Sequence, residues 1–417
     1  MAFFKQGEFG ILGLFYLAGF VQALLAVVEP IVVVYFALKG FTFSELSFAL
    51  VGFFIAPFIF EVPTGVVADV FGRKLSVVLS FLLMGIGAAY VPFVSNFVML
   101  FALLFFIGFA KTLSSGADQA WVVDNIRYNK RPGLIHEFYL KSQSLNMAAF
   151  VGSGLLTAWL IVLLGKGVLL NFRGVDLIGL DFLWFVYAAG FIVPALILLF
   201  TREHLVTRRI HPRHFARHSM NKFRLGFRHS FDNPIIFHLL LAAFFMAFAG
   251  NIFGIAYQPF LVGLGIPTHY LGYMTSIIGG FGIFVPFIAR RLSRLIKKEK
   301  YYLTFVAAVN AVLIFAAFFV VSPFVGLTLI ILLANVGNFE QAIEKPYFQK
   351  YLESHIRATV ASFESMFVHV GGALAMLLGG FLADLIGPRL TLTSAAVFVL
   401  PALVSYLTIH GRRPRIT

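Results

Sequence analysis

Gly65-Val-Val-Ala-Asp69-Val-Phe-Gly72-Arg73-Lys74 is a short charged turn held between two long apolar runs. Its two glycines let one helix stop and the next begin with close backbone approach. Asp69, Arg73 and Lys74 therefore stand at the edge of hydrocarbon, where charge needs a partner or a task.

The rest of the chain has the same character. Of 417 residues, 60% are hydrophobic and 12% charged, about half the charge of a soluble domain, and the mean hydropathy is +0.92. The 52 phenylalanines suit lipid-facing helix surfaces. With no cysteine there is no disulfide, thiolate metal site or nucleophilic thiol. The sequence holds no Gly-x4-Gly-Lys-Ser/Thr phosphate loop, no His-x3-His pair and no Gly-x-Ser-x-Gly elbow. ATP-driven, metal-dependent and serine-hydrolase chemistry are thus unsupported, and no cofactor or enzyme activity is expected.

Twelve apolar segments can be counted, at about 9–38, 44–66, 75–94, 97–126, 134–164, 179–201, 234–262, 269–290, 301–321, 324–348, 356–384 and 389–409. Most exceed the roughly 20 residues that cross a bilayer, and only helices fit their length. The first run is too long for a signal-peptide core and reads as a retained span. Lys and Arg fix the orientation. With the N-terminus inside, 27 of the 32 fall on the inner side and four outside, and Lys111 lies within a span. Both termini are expected in the cytoplasm, at an inner membrane. The net charge of +14 is then a topology signal rather than a nucleic-acid footprint. Segment 202–233 is a basic linker with Phe223, Phe227 and Phe231 at four-residue spacing, suited to lying on anionic lipid. It divides a six-span half, 1–201, from a second, 234–417.

The spacing Gly-x3-Asp-x2-Gly-Arg-Lys between spans two and three resembles the signature loop of the major facilitator superfamily of secondary transporters. Ser115-Gly-Ala-Asp118-Gln-Ala-Trp121 and Phe60-Glu61-Val-Pro-Thr-Gly65 are similar to a prokaryotic branch of it read as efflux carriers. The resemblance implies an all-α membrane protein of twelve transmembrane helices in two pseudo-symmetric six-helix bundles. Such bundles rock about a midplane site and expose it to each side in turn. It further implies a switch built from Gly65, Asp69, Gly72, Arg73, Lys74 and Asp124. Asp69 would face a helix N-terminus of the other half, and Arg73 would pair with Asp124. Physically, an anion at a helix N-terminus gains about 0.3–1 kcal/mol, enough to bias a two-state equilibrium. The similar run Gly380-Phe-Leu-Ala-Asp384-Leu-Ile-Gly387 falls outside by topology and reads as tight-turn grammar, not a second gate.

Polar residues concentrate in spans one, four, seven and ten, which line the central cavity in that superfamily. Glu29, followed by the helix-bending Pro30, is the first candidate for proton exchange and Asp118 the second. The alternative for Glu29 is a permanent pair with Lys111. Lys111 lies about 22 Å below the outer end of span four at 1.5 Å per residue. Lys111, Ser114/Ser115 and Asp118 are spaced for one helical face. Gln22, Lys111, Asn251, Gln258, Asn335 and Asn338 are the candidate substrate contacts. Glu340 and Glu344, one turn apart, form a like-charge pair, and Glu364 and His369 add polarity to span eleven. Span five lacks the Gly-Pro element of many drug/proton antiporters of the superfamily. The resulting expectation is a monomeric, proton-coupled exporter of small amphipathic compounds, in contact with membrane lipid. Its rivals are an importer of an organic anion and a membrane enzyme or lipid-handling scaffold without transport.

Overall fold

The computed structural model describes residues 4–165, 167–172, 175–204, 233–296, 298–352 and 357–409. The basic stretch 205–232 and the C-terminal arginines lie outside the described residues. The helices are α1 (Glu8–Leu24), α2 (Val32–Leu38), α3 (Phe43–Phe71), α4 (Arg73–Tyr90), α5 (Phe97–Thr112), α6 (Ala117–Tyr128) and α7 (Leu134–Leu164). They continue with α8 (Asp181–Leu199), α9 (Pro234–Gly263), α10 (His269–Ile296), α11 (Glu299–Ala316), α12 (Pro323–Gln349) and α13 (Arg357–Thr408). Among the described residues, eleven helical stretches are long and apolar enough to cross a membrane. The last of them covers two crossings, because α13 breaks at Gly387, where φ is 81° and ψ 160°. The chain thus has twelve transmembrane helices.

Local chemistry sets several of the boundaries. The Asn96 side chain accepts from Met99 N at 3.0 Å and starts α5. Asn233 does the same for α9, ahead of Pro234 in its first turn. Two spans expected to be continuous are broken. The first stops at Leu24, and Glu29-Pro30-Ile31 form a single 3-10 turn before α2, since Pro30 has no N–H to carry the α pattern forward. The fourth is interrupted at 113–116. There the Ser114 hydroxyl bonds back to the Lys111 carbonyl at 2.9 Å and Gly116 takes φ 71°. Lys111 and Asp118 therefore do not share one unbroken helical face. A small antiparallel hairpin, β1 (Val168–Phe172) with β2 (Val175–Ile178), joins α7 to α8.

The chain forms two compact units. Unit 1 comprises Met1–Tyr35, Ala49–Pro212 and Pro267–Gly280. Its core gathers Leu12, Phe15, Val77, Val122 and Ile126 around Trp121, on whose ring Phe15 packs edge-on at 5.0 Å. One ionic knot is sealed in it. The Glu8 carboxylate, fully buried, accepts from Tyr16 Oη at 2.8 Å, Lys5 N at 2.8 Å and Lys141 Nζ at 2.7 Å. Unit 2 comprises Phe36–Phe48, Arg213–Ile266 and Phe281–Thr417, and its largest sealed side chains are Tyr302, Tyr406, Phe36 and Phe348.

Candidate functional site

The charged turn lies in unit 1. Helix α3 closes with the Gly72 N–H on the Ala68 carbonyl at 3.1 Å. Gly72 itself, at φ 101° and ψ 146°, redirects the chain into α4. The Arg73 guanidinium pairs with the Asp124 carboxylate of α6, both half-buried. A third charge joins them. Glu203 Oε1 accepts the N–H of Arg73 at 2.6 Å and of Lys74 at 3.2 Å, the first two donors of α4. Lys74 Nζ reaches the Leu199 carbonyl in the last turn of α8 at 2.6 Å. The Trp121 indole donates to the Arg202 carbonyl at 3.3 Å, and the His204 ring lies 2.6 Å from Asn125 Oδ1 and stacks on Tyr128. Residues 199–204, leaving α8, are therefore fastened to the turn and to α6. Glu203 was not singled out from the sequence, though it is the lone acid among eight basic residues in 202–230. Gly65 is helical with open space where a Cβ would go. The Asp69 side chain lies outside what is described.

Deeper in unit 1, Glu29 begins the 3-10 turn and is exposed. The Lys111 charge acts on it, and the Glu29 charge in turn reaches Tyr187 of α8. Lys111, exposed in the last turn of α5, holds its ammonium 5.0 Å from the centre of the Phe53 ring, within cation–π range. Aromatic rings continue from there. Phe53 meets Phe54, and Phe60 meets Phe105 and Phe109, with centroids 4.9–6.0 Å apart. Asp118 is placed otherwise: exposed in the first turn of α6, its carboxylate accepts from Gln119 N at 2.6 Å. Glu61 of α3, outside the proposed set, reaches the Ser115 hydroxyl at 3.3 Å at the break in the fourth span. Gln22 is half-buried on α1.

In unit 2 the polar residues divide into two kinds. Asn251 Nδ2 donates to the Ala247 carbonyl at 2.8 Å, and Asn335 Nδ2 to Ile331 at 2.9 Å, each one turn back in its own helix. Asn335 Oδ1 is left buried without a hydrogen-bond partner among the described residues. Gln258 is buried and donates to Tyr257 Oη at 3.0 Å, and Asn338 is exposed. The acids form a group of their own. Tyr406 Oη, fully buried, donates to Glu340 Oε1 at 2.7 Å. Glu344 Oε1 is buried without a hydrogen-bond partner among the described residues, and the charges of Glu340 and Glu364 act on Glu344. Tyr406 was not singled out from the sequence, being one of six hydroxyl residues in an apolar final span. Among the described residues, no three His, Asp or Glu are grouped to hold a metal ion.

This arrangement has relatives. Residues 10–343 match the sequence profile of the Major Facilitator Superfamily. The chain is 24% identical over 390 residues, 92% of its length and 91% of the other's, to the uncharacterized MFS-type transporter YxaM of Bacillus subtilis (strain 168). Among solved structures, a bacterial homolog of the human lysosomal transporter Spinster superposes with a TM-score of 0.74 at 14% identity, over 97% of both chains. A mutant of the nucleoside transporter NupG gives 0.71 at 16% identity, covering 96% of this chain and all of that one. A bacterial homologue of the iron transporter ferroportin also gives 0.71 at 16%, covering 96% of this chain and 99% of that one. At these identities the structures establish the fold and leave the cargo open. With the profile spanning most of its length, the chain belongs to the Major Facilitator Superfamily.

Proposed function

We propose that the chain is a secondary active transporter of the cytoplasmic membrane, working by alternating access and coupling proton entry to the export of small amphipathic compounds. One observation carries this reading: Glu29 is exposed deep in its span, under the charge of Lys111, which itself lies against an aromatic wall. With Glu29 ionised, the carboxylate and ammonium compensate each other. When Glu29 takes a proton, its charge is lost and the site becomes net positive. A cationic substrate held against the phenylalanines is then repelled, which is the sign an antiporter needs. Asp118, exposed at the head of α6, is the second proton-carrying group in this reading. Gln22 and Lys111 in unit 1, and Asn251, Gln258, Asn335 and Asn338 in unit 2, offer the polar contacts.

The switch is assigned to Gly65, Asp69, Gly72, Arg73, Lys74 and Asp124. The Arg73–Asp124 pair supports that role, and Glu203 joins it as the cap of α4. Residues 1–201 and 234–417 are the two six-span halves, 202–233 is the cytoplasmic basic linker between them, and both termini are cytoplasmic. The carrier acts as a monomer.

The same pair favours a second reading when the substrate is an anion. Protonation of Glu29 then frees Lys111 to take the anion, so that proton and substrate travel inward together. A growth panel of toxic compounds in an efflux-deficient bacterial host separates the two. It compares wild type with Asp69→Asn and Glu29→Gln at matched expression. Protection by wild type alone supports export. No protection across diverse compounds, with anion uptake that Lys111→Gln abolishes, replaces export by import. A membrane enzyme or scaffold would need no gate and would keep its activity in Asp69→Asn.

A further inference from the structure

The chain spells Gly-x3-Asp-x2-Gly twice, and the second copy does something its local grammar does not announce. Asp384 does not merely close its own turn. Its Oδ1 accepts the N–H of Phe43 at 2.9 Å and its Oδ2 the N–H of Ser44 at 2.7 Å, the first two donors of α3, about 340 residues earlier. The start of α3 already has a cap of its own. Thr42 Oγ1 accepts from Glu45 N at 3.1 Å, and Glu45 Oε2 accepts from Thr42 N at 3.0 Å, a reciprocal capping box. Asp384 is therefore an added carboxylate on a helix that begins without it.

The seat is shaped to match. A Cβ built on Gly380 would stand 2.5 Å from the Phe43 carbonyl oxygen and closer still to Ser47 Oγ. No residue larger than glycine allows this approach of α13 to α3. The Ser47 hydroxyl facing it is fully buried and has no hydrogen-bond partner among the described residues. A buried hydroxyl without a partner is costly, and water reaching it would relieve that cost, so the seam favours parting as well as closing. Gly387, at φ 81°, turns the chain into the last span directly after the carboxylate.

We propose that Asp384 is a positioning residue for transport, the latch that holds the outer end of the second span against the end of the eleventh. Its two hydrogen bonds are made when the outer face is closed and broken each time that face opens. This rests on the alternating-access reading above and adds a residue to it that the signature turn does not contain. The carboxylate on α3 matches the role of Glu203 on α4, whose first two N–H groups are taken in the same way. Where Glu203 joins elements of the first six spans, Asp384 joins an early span to a late one and so is made and lost with the cycle.

The absence of native cysteine allows a direct test, because any introduced thiol reports alone. Ser47→Cys and, separately, Ser276→Cys are placed in the chain and labelled in intact cells by a membrane-impermeant maleimide. Ser276 is buried in unit 1, its hydroxyl on the Val151 carbonyl at 2.7 Å. Adding Asp384→Asn is expected to speed labelling about two- to fivefold at both positions, the scale of one charged helix cap. Unchanged rates, or acceleration at Ser47 alone, overturn the latch and leave a local cap. Gly380→Ala, read at the Ser276 thiol, forces the seam apart without touching the aspartate and is expected to have the same effect. It decides the matter if Asp384→Asn fails to reach the membrane. Arg73→Gln is run in parallel to weaken the inner switch, and slower labelling at both thiols is expected. If Arg73→Gln changes nothing while Asp384→Asn speeds both sites, the alternating-access reading fails and not the Asp384 contact.

Discussion

Glycines 65 and 72 stand in one motif, yet alanine at each should have opposite effects on stability. Gly72 has φ 101° and ψ 146°, a region that side chains enter at a cost of about 1–3 kcal/mol. A Cβ there would also lie 2.9 Å from Glu203 Oε2 and 3.2 Å from Oε1. The carboxylate must then retreat from Arg73 N, which it holds at 2.6 Å, and a charge-assisted bond of about 1.5–3 kcal/mol is weakened. Together Gly72→Ala should cost about 3–5 kcal/mol. Gly65 is inside α3 with nothing among the described residues within 4 Å of its missing Cβ, so Gly65→Ala should gain about 0.5–1 kcal/mol from helix propensity. Thermal unfolding of the purified protein in detergent, followed by tryptophan fluorescence, reads the difference. At about 2–4 °C per kcal/mol for a unit of this size, the two variants should separate by roughly 8 °C or more. A double-mutant cycle sharpens the point: Glu203→Ala should cost about 1–2 kcal/mol in the wild type and far less beside Gly72→Ala, since the cap is already displaced. Equal melting of the two glycine variants, or full additivity with Glu203→Ala, would refute the reasoning.

Other residues give further expectations. Lys141→Met leaves the Glu8 carboxylate buried and short of its ammonium; it should lower stability by about 3–5 kcal/mol, and Glu8→Gln added to it should restore part of the loss in the same melting assay. Tyr406→Phe removes the only hydroxyl seen on Glu340 Oε1 among the described residues and should destabilise unit 2 by about 1–3 kcal/mol, measured by protease resistance of the C-terminal fragment in proteoliposomes. Glu29→Gln should abolish transport driven by a proton gradient while sparing substrate exchange at equal pH, which vesicle assays with and without an imposed gradient distinguish.

The fold was legible because a bilayer imposes it. Runs of about 20 apolar residues can satisfy their backbone only as helices, and the side-to-side imbalance of Lys and Arg needs no tertiary knowledge. The Arg73–Asp124 pair was legible through resemblance, and Glu29 and Lys111 drew notice because charge within a long apolar run demands an account. What stayed hidden had local and non-local causes. The interruption at 113–116 was passed over because Ser114 and Ser115 were counted by helical spacing, whereas their hydroxyls bond back to helix carbonyls and neighbours. Lys141 was counted among the loop charges, but its ammonium is sealed against Glu8. Nothing in a sequence separation of 133 carries a mark of that pairing.

Asp69 and Asp384 show where such reading stops. Both stand in the same Gly-x3-Asp-x2-Gly phrase, and that phrase fixes only the local backbone: a helix end, a close approach, a turn. What the carboxylate then accepts depends on which helix N-terminus the fold brings to it, and a free helix start leaves its first donors open to any anion within reach. For Asp384 that start is α3, which carries its own Thr42–Glu45 cap and yet still takes a second carboxylate. A helix already capped has little structural need of another anion. The extra contact is better accounted for by a state of the protein than by the stability of the helix, and its worth should appear in the rate at which the outer face opens rather than in the melting temperature. Asp384→Asn should therefore leave unfolding within about 1 kcal/mol of wild type while changing thiol accessibility severalfold, a dissociation that a purely structural cap would not produce.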